Sequence, residues 1–155
     1  MSSKHVILGV VVALVPIGSA VAAPAQGGKS LHATMAGKGE VPKGDPDGTG
    51  SAEIKITGTK ICWEIKVAKV GTIGAAHIHK GGPGVAGPVV VPLGKTFASK
   101  GCTTAPAAVA AAILAHPSSY YVNVHNVKYP SGALRGQLKA DDSQSAGAKG
   151  YGFAG

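Results

Sequence analysis

Apolar and polar residues alternate with a period of two in several stretches of this chain. Residues 51–57 and 61–70 are the clearest examples, and Gly58-Thr59-Lys60 between them is typical of a hairpin turn. Side chains of a strand point to opposite faces in turn, so one face packs on a core and the other faces outward. The predicted inward residues of this hairpin are Ala52, Ile54, Ile56, Ile61, Trp63, Ile65 and Val67.

A second pair of alternating stretches lies nearer the C-terminus, at residues 120–127 and 133–138. The tight turn Tyr129-Pro130-Ser131-Gly132 separates them, which favours another hairpin. Their predicted inward residues are Val122, Val124, Leu134 and Leu138. Their predicted outward residues are Tyr121, Asn123, His125, Arg135 and Gln137.

One alanine-rich segment breaks the strand pattern. Residues 107–115 predict a helix of about three turns, with an N-cap at Thr104-Ala105-Pro106 and an end at His116-Pro117. We expect this helix to cover one end of the domain through Val109, Ile113 and Leu114. The predicted fold class is therefore all-β, an antiparallel Greek-key β-sandwich with one short helix in a connection.

The first residues have the pattern of a targeting segment. Lys4-His5 is a positive start, residues 6–18 are an apolar run, and Ser19-Ala20-Val21-Ala22 is a small-residue cleavage site. This predicts a secretory signal peptide over residues 1–22, cut near Ala22, and no membrane span in the mature form. We expect a flexible lead-in at 23–30, one domain at 31–139, a disordered tail at 140–155, and a secreted or periplasmic location.

Two cysteines, Cys62 and Cys102, are present in the chain. An exported chain meets an oxidising compartment, which favours a disulfide between them. A thiolate pair on a metal is the alternative. The apolar setting Ile61-Cys62-Trp63 favours the structural bridge.

The chain has 155 residues and a formal net charge of +8, from 15 Lys and Arg against 7 Asp and Glu. The positive residues are spread singly, and 5% of residues are aromatic. A nucleic-acid-binding surface would cluster its basic residues, so no nucleic-acid partner is predicted. A diffuse positive field of this kind attracts small anions.

The candidate chemistry lies in three histidines. His77 and His79 flank Ile78 on a short predicted strand, so both imidazoles point to one face. His125 lies on the outward face of a second strand. If the two strands are neighbours, His77, His79 and His125 bind one metal ion. Copper has the highest affinity for nitrogen sites, so we predict copper, with zinc as the alternative.

Other roles for the histidines remain open at this point. His77 and His79 could simply form hydrogen bonds with neighbouring loops. His32 is a candidate fourth ligand, although a surface position explains it more simply.

Several motifs together resemble the chordin-type CHRD domain over roughly residues 31–139. The order of these motifs carries the resemblance: Gly39-Glu40-Val41-Pro42, Ala76-His77-Ile78-His79-Lys80-Gly81, Gly87-Pro88-Val89-Val90, Tyr120-Tyr121-Val122-Asn123-Val124-His125 and Gly132-Ala133-Leu134-Arg135-Gly136-Gln137-Leu138. The resemblance implies an extracytoplasmic β-sandwich and assigns no agreed biochemical activity.

A more distant likeness is to copper-zinc superoxide dismutase, whose immunoglobulin-like Greek-key sandwich has a His-x-His strand, a later histidine and an anion-guiding arginine. In the same order, this chain has His77, His79, His125 and Arg135. Between Lys80 and Lys100 it has no histidine and no acidic residue, so a zinc subsite and a bridging histidine are not expected. Fold-level likeness is by itself a weak argument for activity.

Three functions are compatible with these patterns. The preferred one is an exported protein that binds, stores or delivers copper. The second is a copper-dependent redox enzyme such as a superoxide dismutase, with Arg135 attracting the anion. The third is an extracellular adhesion or scaffold module with structural histidines. No Gly-x-Ser-x-Gly, phosphate-loop, Cys-x-x-Cys-His or His-Glu-x-x-His motif is present in the chain.

Overall fold

The structure, a computed structural model, describes residues 27–141. The predicted signal peptide, half of the predicted lead-in (23–26) and most of the predicted tail (142–155) lie outside this range. The strands are β1 (Lys29–Ala36), β2 (Thr49–Thr57), β3 (Lys60–Ala68), β4 (Ile73–Lys80), β5 (Val89–Pro92), β6 (Lys100–Thr104), β7 (Tyr120–Asn126), β8 (Leu134–Gln137) and β9 (Lys139–Ala140). One α-helix, α1 (Ala107–Ala115), and the 3-10 turns Gly37–Gly39 and Pro117–Ser119 complete the described elements.

The strands form one antiparallel sheet in the order β5-β4-β7-β8-β1-β2-β3-β6, and β9 pairs with β1. Strands β8 and β1 share a single pair of partners, Ala36 and Arg135, which joins a β5-β4-β7-β8 half to a β1-β2-β3-β6 half. The chain passes between the halves after β3, β5 and β6, and again after β8, because β9 pairs with β1. The predicted all-β antiparallel fold with one short helix is confirmed.

The period-two pattern correctly identified the core. The inward residues of β2 and β3 are buried from Ala52 to Ile65, and Val67 packs against them half-buried. Every strand of the other half also contributes fully buried side chains, which are Ile78, Val91, Val122, Val124 and Leu134. Removing this much apolar surface from water is the main force that holds the two halves together.

Helix α1 has the predicted bounds, but its N-terminus is not capped by a threonine. Pro106 is the N-cap residue, with φ −53° and ψ 140°, and no side chain caps the helix. Thr104 stays in β6 opposite Lys60, and Ala105 continues the pairing by donating its N–H to the Thr59 carbonyl. The predicted cap at Thr104 is therefore wrong, because sheet pairing holds that residue. Ile113 is buried as predicted, and Val109 and Leu114 pack against the core.

The sheet extends slightly past both predicted domain limits. β1 begins at Lys29, two residues before the predicted start, and β9 ends at Ala140, one residue after the predicted end. The two extensions support each other, because Leu31 pairs with Ala140 and Asp141 donates its N–H to the Ser30 carbonyl.

The predicted disulfide is confirmed. Cys62 on β3 and Cys102 on β6 are register partners with their Cα atoms 4.0 Å apart, and their sulfurs are bonded. Neither cysteine is free to hold a metal as a thiolate. The bridge joins the edge strand β6 to its neighbour β3. Both strands lie in the half of the sheet that does not contain β4 and β7, the strands of His77, His79 and His125.

Candidate metal centre

Strands β4 and β7 are hydrogen-bonded neighbours, and this pairing brings the three predicted histidines together. Their register places Ala75 opposite His125 and His77 opposite Asn123. His125 is thus the diagonal neighbour of His77 on the same face, and the buried Ile78 points into the core. The ring centroids are 4.9 Å apart for His77 and His125, 5.7 Å for His77 and His79, and 5.9 Å for His79 and His125.

The three side chains form a group that could hold a metal ion, because one ring nitrogen of each lies within 4.8 Å of the other two. Two zinc–nitrogen bonds of about 2 Å span at most ~4 Å. Ring nitrogens 4.8 Å apart must therefore approach each other by about 1 Å to bind the same ion. Within residues 27–141 the group has these three members, and His32 is not one of them.

Hydrogen bonds fix which nitrogen of two of the rings can bind a metal. Nδ1 of His79 lies 2.8 Å from the Gly87 carbonyl oxygen, and Nδ1 of His125 lies 3.0 Å from the Pro130 carbonyl oxygen. A carbonyl can only accept, so each Nδ1 carries the hydrogen and each Nε2 keeps its lone pair. Bonds of this kind are the usual partners that orient metal-binding histidines.

The remaining nitrogens give a direct test of whether these residues fit a metal. Nε2 of His79, Nε2 of His125 and Nδ1 of His77 are all buried and have no hydrogen-bond partner. A buried polar atom without a partner costs about 1–3 kcal/mol, and native structures contain few of them. Three such lone pairs in one group fit a cation that accepts all three.

Burial also keeps these imidazoles neutral, which is the form that binds metals. Burial, together with the neighbouring His125 and His79, lowers the pKa of His77 to about 4. Burial also lowers the pKa of His79 and of His125, against the opposing effects of the bonds to Gly87 and Pro130. At neutral pH a metal ion would therefore meet little competition from protons at the three rings.

The outer face of the sheet is covered at this site. Tyr121, Asn123 and Arg135 alternate with the core residues as predicted, yet they are only 2%, 3% and 4% exposed. The loop of residues 81–88 lies over Tyr121 and Arg135, and its Gly87 N–H donates to the Tyr121 hydroxyl at 3.1 Å. The predicted surface site is thus half-buried, because a glycine-rich loop supplies backbone groups to the polar side chains of the face.

Arg135, the single arginine of the chain, anchors this loop. Its guanidinium donates to the carbonyls of Val85 at 2.9 Å and Gly82 at 2.7 Å, and to the Gln137 side chain at 2.9 Å. It also lies over the Tyr121 ring, 3.5 Å from the centroid, and that ring stacks on His79. The guiding of anions by Arg135 stays a prediction, because the contacts of its guanidinium are with the loop, Gln137 and Tyr121.

Glu40 is a site residue that the sequence analysis missed. Its carboxyl is 5% exposed and accepts a hydrogen bond from Asn123 Nδ2 at 3.3 Å. Burial raises its pKa to about 7, against the opposing charge of Arg135. The sequence feature that could have indicated Glu40 is its place in the motif Gly39-Glu40-Val41-Pro42. This motif lies outside the stretches in which apolar and polar residues alternate.

The chain belongs to the CHRD domain family, whose model matches residues 31–138. A search of curated proteins found no match, and neither did a search of solved structures. Among residues 27–141, no helix is long and apolar enough to cross a membrane.

Proposed function

We propose that this CHRD-domain protein is exported from the cytoplasm and binds copper through His77, His79 and His125, as a copper-binding, storage or delivery protein. The observation that carries the proposal is a group of three histidines with one ring nitrogen of each within 4.8 Å of the others, in which every ring also has a buried nitrogen without a hydrogen-bond partner. A histidine with a purely structural role would have its buried nitrogens paired, so the unpaired atoms favour metal binding over an adhesion or scaffold role.

The donor set supports copper among the common metals. Three imidazole nitrogens are borderline ligands, and copper(II) binds such sites more tightly than the other divalent first-row metals. Both cysteines are in the disulfide, and Met35 is buried in the core, so neither kind of sulfur ligand joins the described group. Zinc uses the same nitrogens and is the competitor to test.

Two features support export. Residues 1–22 have the pattern of a cleavable signal peptide. The Cys62–Cys102 bridge is of a kind that persists in oxidising compartments. Detection of the mature protein in the periplasm or medium, beginning at residue 23, is the expected result, and retention of the full chain in the cytoplasm would contradict it.

The test of metal binding is titration of the disulfide-bonded protein with Cu²⁺ and with Zn²⁺, followed by electron paramagnetic resonance of the copper form. One ion per chain with nitrogen hyperfine structure is expected. The variant His125→Ala should lose more than the ~10–100-fold in affinity that follows from removing a group that only orients a ligand. His32→Ala, a half-buried histidine of β1, is the matched control and should bind like the wild type. Equal affinity of His125→Ala and wild type would overturn the proposal.

A further inference from the structure

A buried carboxyl and a buried amide face each other beside the histidine group. Asn123 Nδ2 donates to Glu40 Oε2, whereas the second carboxyl oxygen, Oε1 of Glu40, and the amide oxygen, Oδ1 of Asn123, are buried without a hydrogen-bond partner. Two acceptors cannot bond to each other. One proton on the carboxyl would satisfy both, because a carboxylic acid and a primary amide form two hydrogen bonds side by side.

The surroundings of Glu40 hold the carboxyl away from water. A Cβ on Gly132 would lie 2.6 Å from Oε2, so the turn before β8 packs directly against the carboxyl. Strand β7 presents the amide of Asn123, and β8 presents Arg135, the charge that acts on the carboxyl. Arg135 gives its hydrogen bonds to Gly82, Val85 and Gln137. Glu40 thus has an unpaired oxygen, strong burial and one nearby positive charge.

Asn123 connects this pair to the metal centre. It is the register partner of His77, and it lies two residues before His125 on the same face of β7. Glu40 is not a member of the histidine group, and its carboxyl is linked to the strand that holds His125 by the hydrogen bond from Asn123. A cation at the three nitrogens would therefore act on Glu40 through space across one side chain.

We propose that Glu40 and Asn123 form a proton-holding pair coupled to the metal centre, which keeps its proton while the three histidines are free of metal and releases it to solvent when a cation binds. This inference rests on the proposed function. The physical reason is charge compensation, since a cation in a site of low dielectric favours the ionised form of a nearby carboxyl. Glu40 would then supply a negative charge to a site whose ligands are all neutral.

The number of protons released on metal binding tests the coupling. Zn²⁺ and Cu²⁺ are titrated calorimetrically, at pH 7 and pH 9, in buffers of different ionisation enthalpy. Because the pKa of Glu40 is about 7, the wild type should release about half a proton more than Glu40→Gln at pH 7, and no more at pH 9. Gln keeps the pair, since its amide can donate to Asn123 Oδ1. Glu64→Gln, at a solvent-exposed carboxylate of β3, is the control and should match the wild type.

Equal proton release by wild type and Glu40→Gln at pH 7 would overturn the coupling while leaving metal binding intact. Failure of both metals to bind would overturn the proposed function and the coupling with it. The acid–amide pair has its own measurement, the pH titration of the Glu40 carboxyl carbon by NMR in metal-free wild type. A midpoint near 7 is expected, and a midpoint near the ordinary value of 4.5 would overturn the pair.

Discussion

Nδ1 of His79 lies 2.8 Å from the carbonyl oxygen of Gly87, and this contact leaves Nε2 of His79 as the buried ring nitrogen without a hydrogen-bond partner. The loop that covers the site is therefore also a part of it. The same loop is held to the sheet by Tyr121, Arg135 and Gln137. Metal affinity should consequently depend on residues that never touch the ion.

Gly87→Ala should weaken metal binding by about 10–100-fold, the usual effect of losing a partner that orients a ligand. A Cβ at this position would collide with the Lys80 carbonyl oxygen, so the loop must move away from His79. Gly82→Ala is the matched control in the same loop, because a Cβ there meets nothing within 4 Å. Competitive titration of both variants against a chelator measures the difference. Equal affinities would show that the Gly87 contact does not orient His79.

Arg135→Lys should destabilise the protein nearly as much as Arg135→Gln, by about 2–3 kcal/mol per variant. A lysine ammonium cannot reproduce the planar fork that reaches Gly82, Val85 and Gln137 together and stacks on Tyr121. Urea unfolding followed by Trp63 fluorescence measures the loss. Lys95→Gln removes an exposed positive charge and should be neutral. Full stability of Arg135→Lys would mean that charge alone, rather than the fork, is what this position requires.

Glu40→Gln should be more stable than the wild type in metal-free protein at alkaline pH. Burial raises the folded-state pKa of Glu40 from 4.5 to about 7, so the folded state holds a proton that the unfolded state has lost between these values. Wild-type stability from this group therefore falls as pH rises through that window. The free energy of unfolding of Glu40→Gln, measured by urea unfolding, should equal that of the wild type at pH 4 and exceed it by about 3 kcal/mol at pH 8. A difference that does not change with pH would contradict the raised pKa.

Removal of the disulfide should lower stability without changing the metal centre. Replacing both Cys62 and Cys102 by alanine opens a loop with a sequence separation of 40, which the chain-entropy model values at about 4 kcal/mol. The bridge joins β3 to β6, whereas the histidines are on β4 and β7. Metal affinity measured under native conditions should stay unchanged, and its loss would show that the two halves of the sheet are coupled.

Much of the fold could be predicted because every second side chain of a strand faces the core, so apolar residues recur at every second position. The inward residues of β2, β3, β7 and β8 were correct for this reason, and so were the residues of α1 that pack on the core. The start of α1 at residue 107 was correct, whereas the capping role of Thr104 was wrong, because pairing of Thr104 with Lys60 across the sheet prevailed over the local preference for an N-cap.

The candidate site was predictable in part. His77 and His79 share a face by periodicity alone, and His125 was an outward residue of a strand whose neighbour was unknown. Glu40 was missed, because its partner Asn123 lies 83 residues away and no local pattern links them. The burial of Arg135 was missed for a similar reason, since the carbonyls that surround it belong to a loop about 50 residues earlier.

The sequence by itself determined the strand faces, the cysteines available for a bridge and the direction in which each histidine points, because these follow from the local geometry of an extended chain. Tertiary structure alone decided that β4 lies beside β7, which ring nitrogens remain unpaired, and that Glu40 closes over Asn123. The physical reason is that pairing and burial depend on segments distant in the chain, which meet only when the sheet curls around its core.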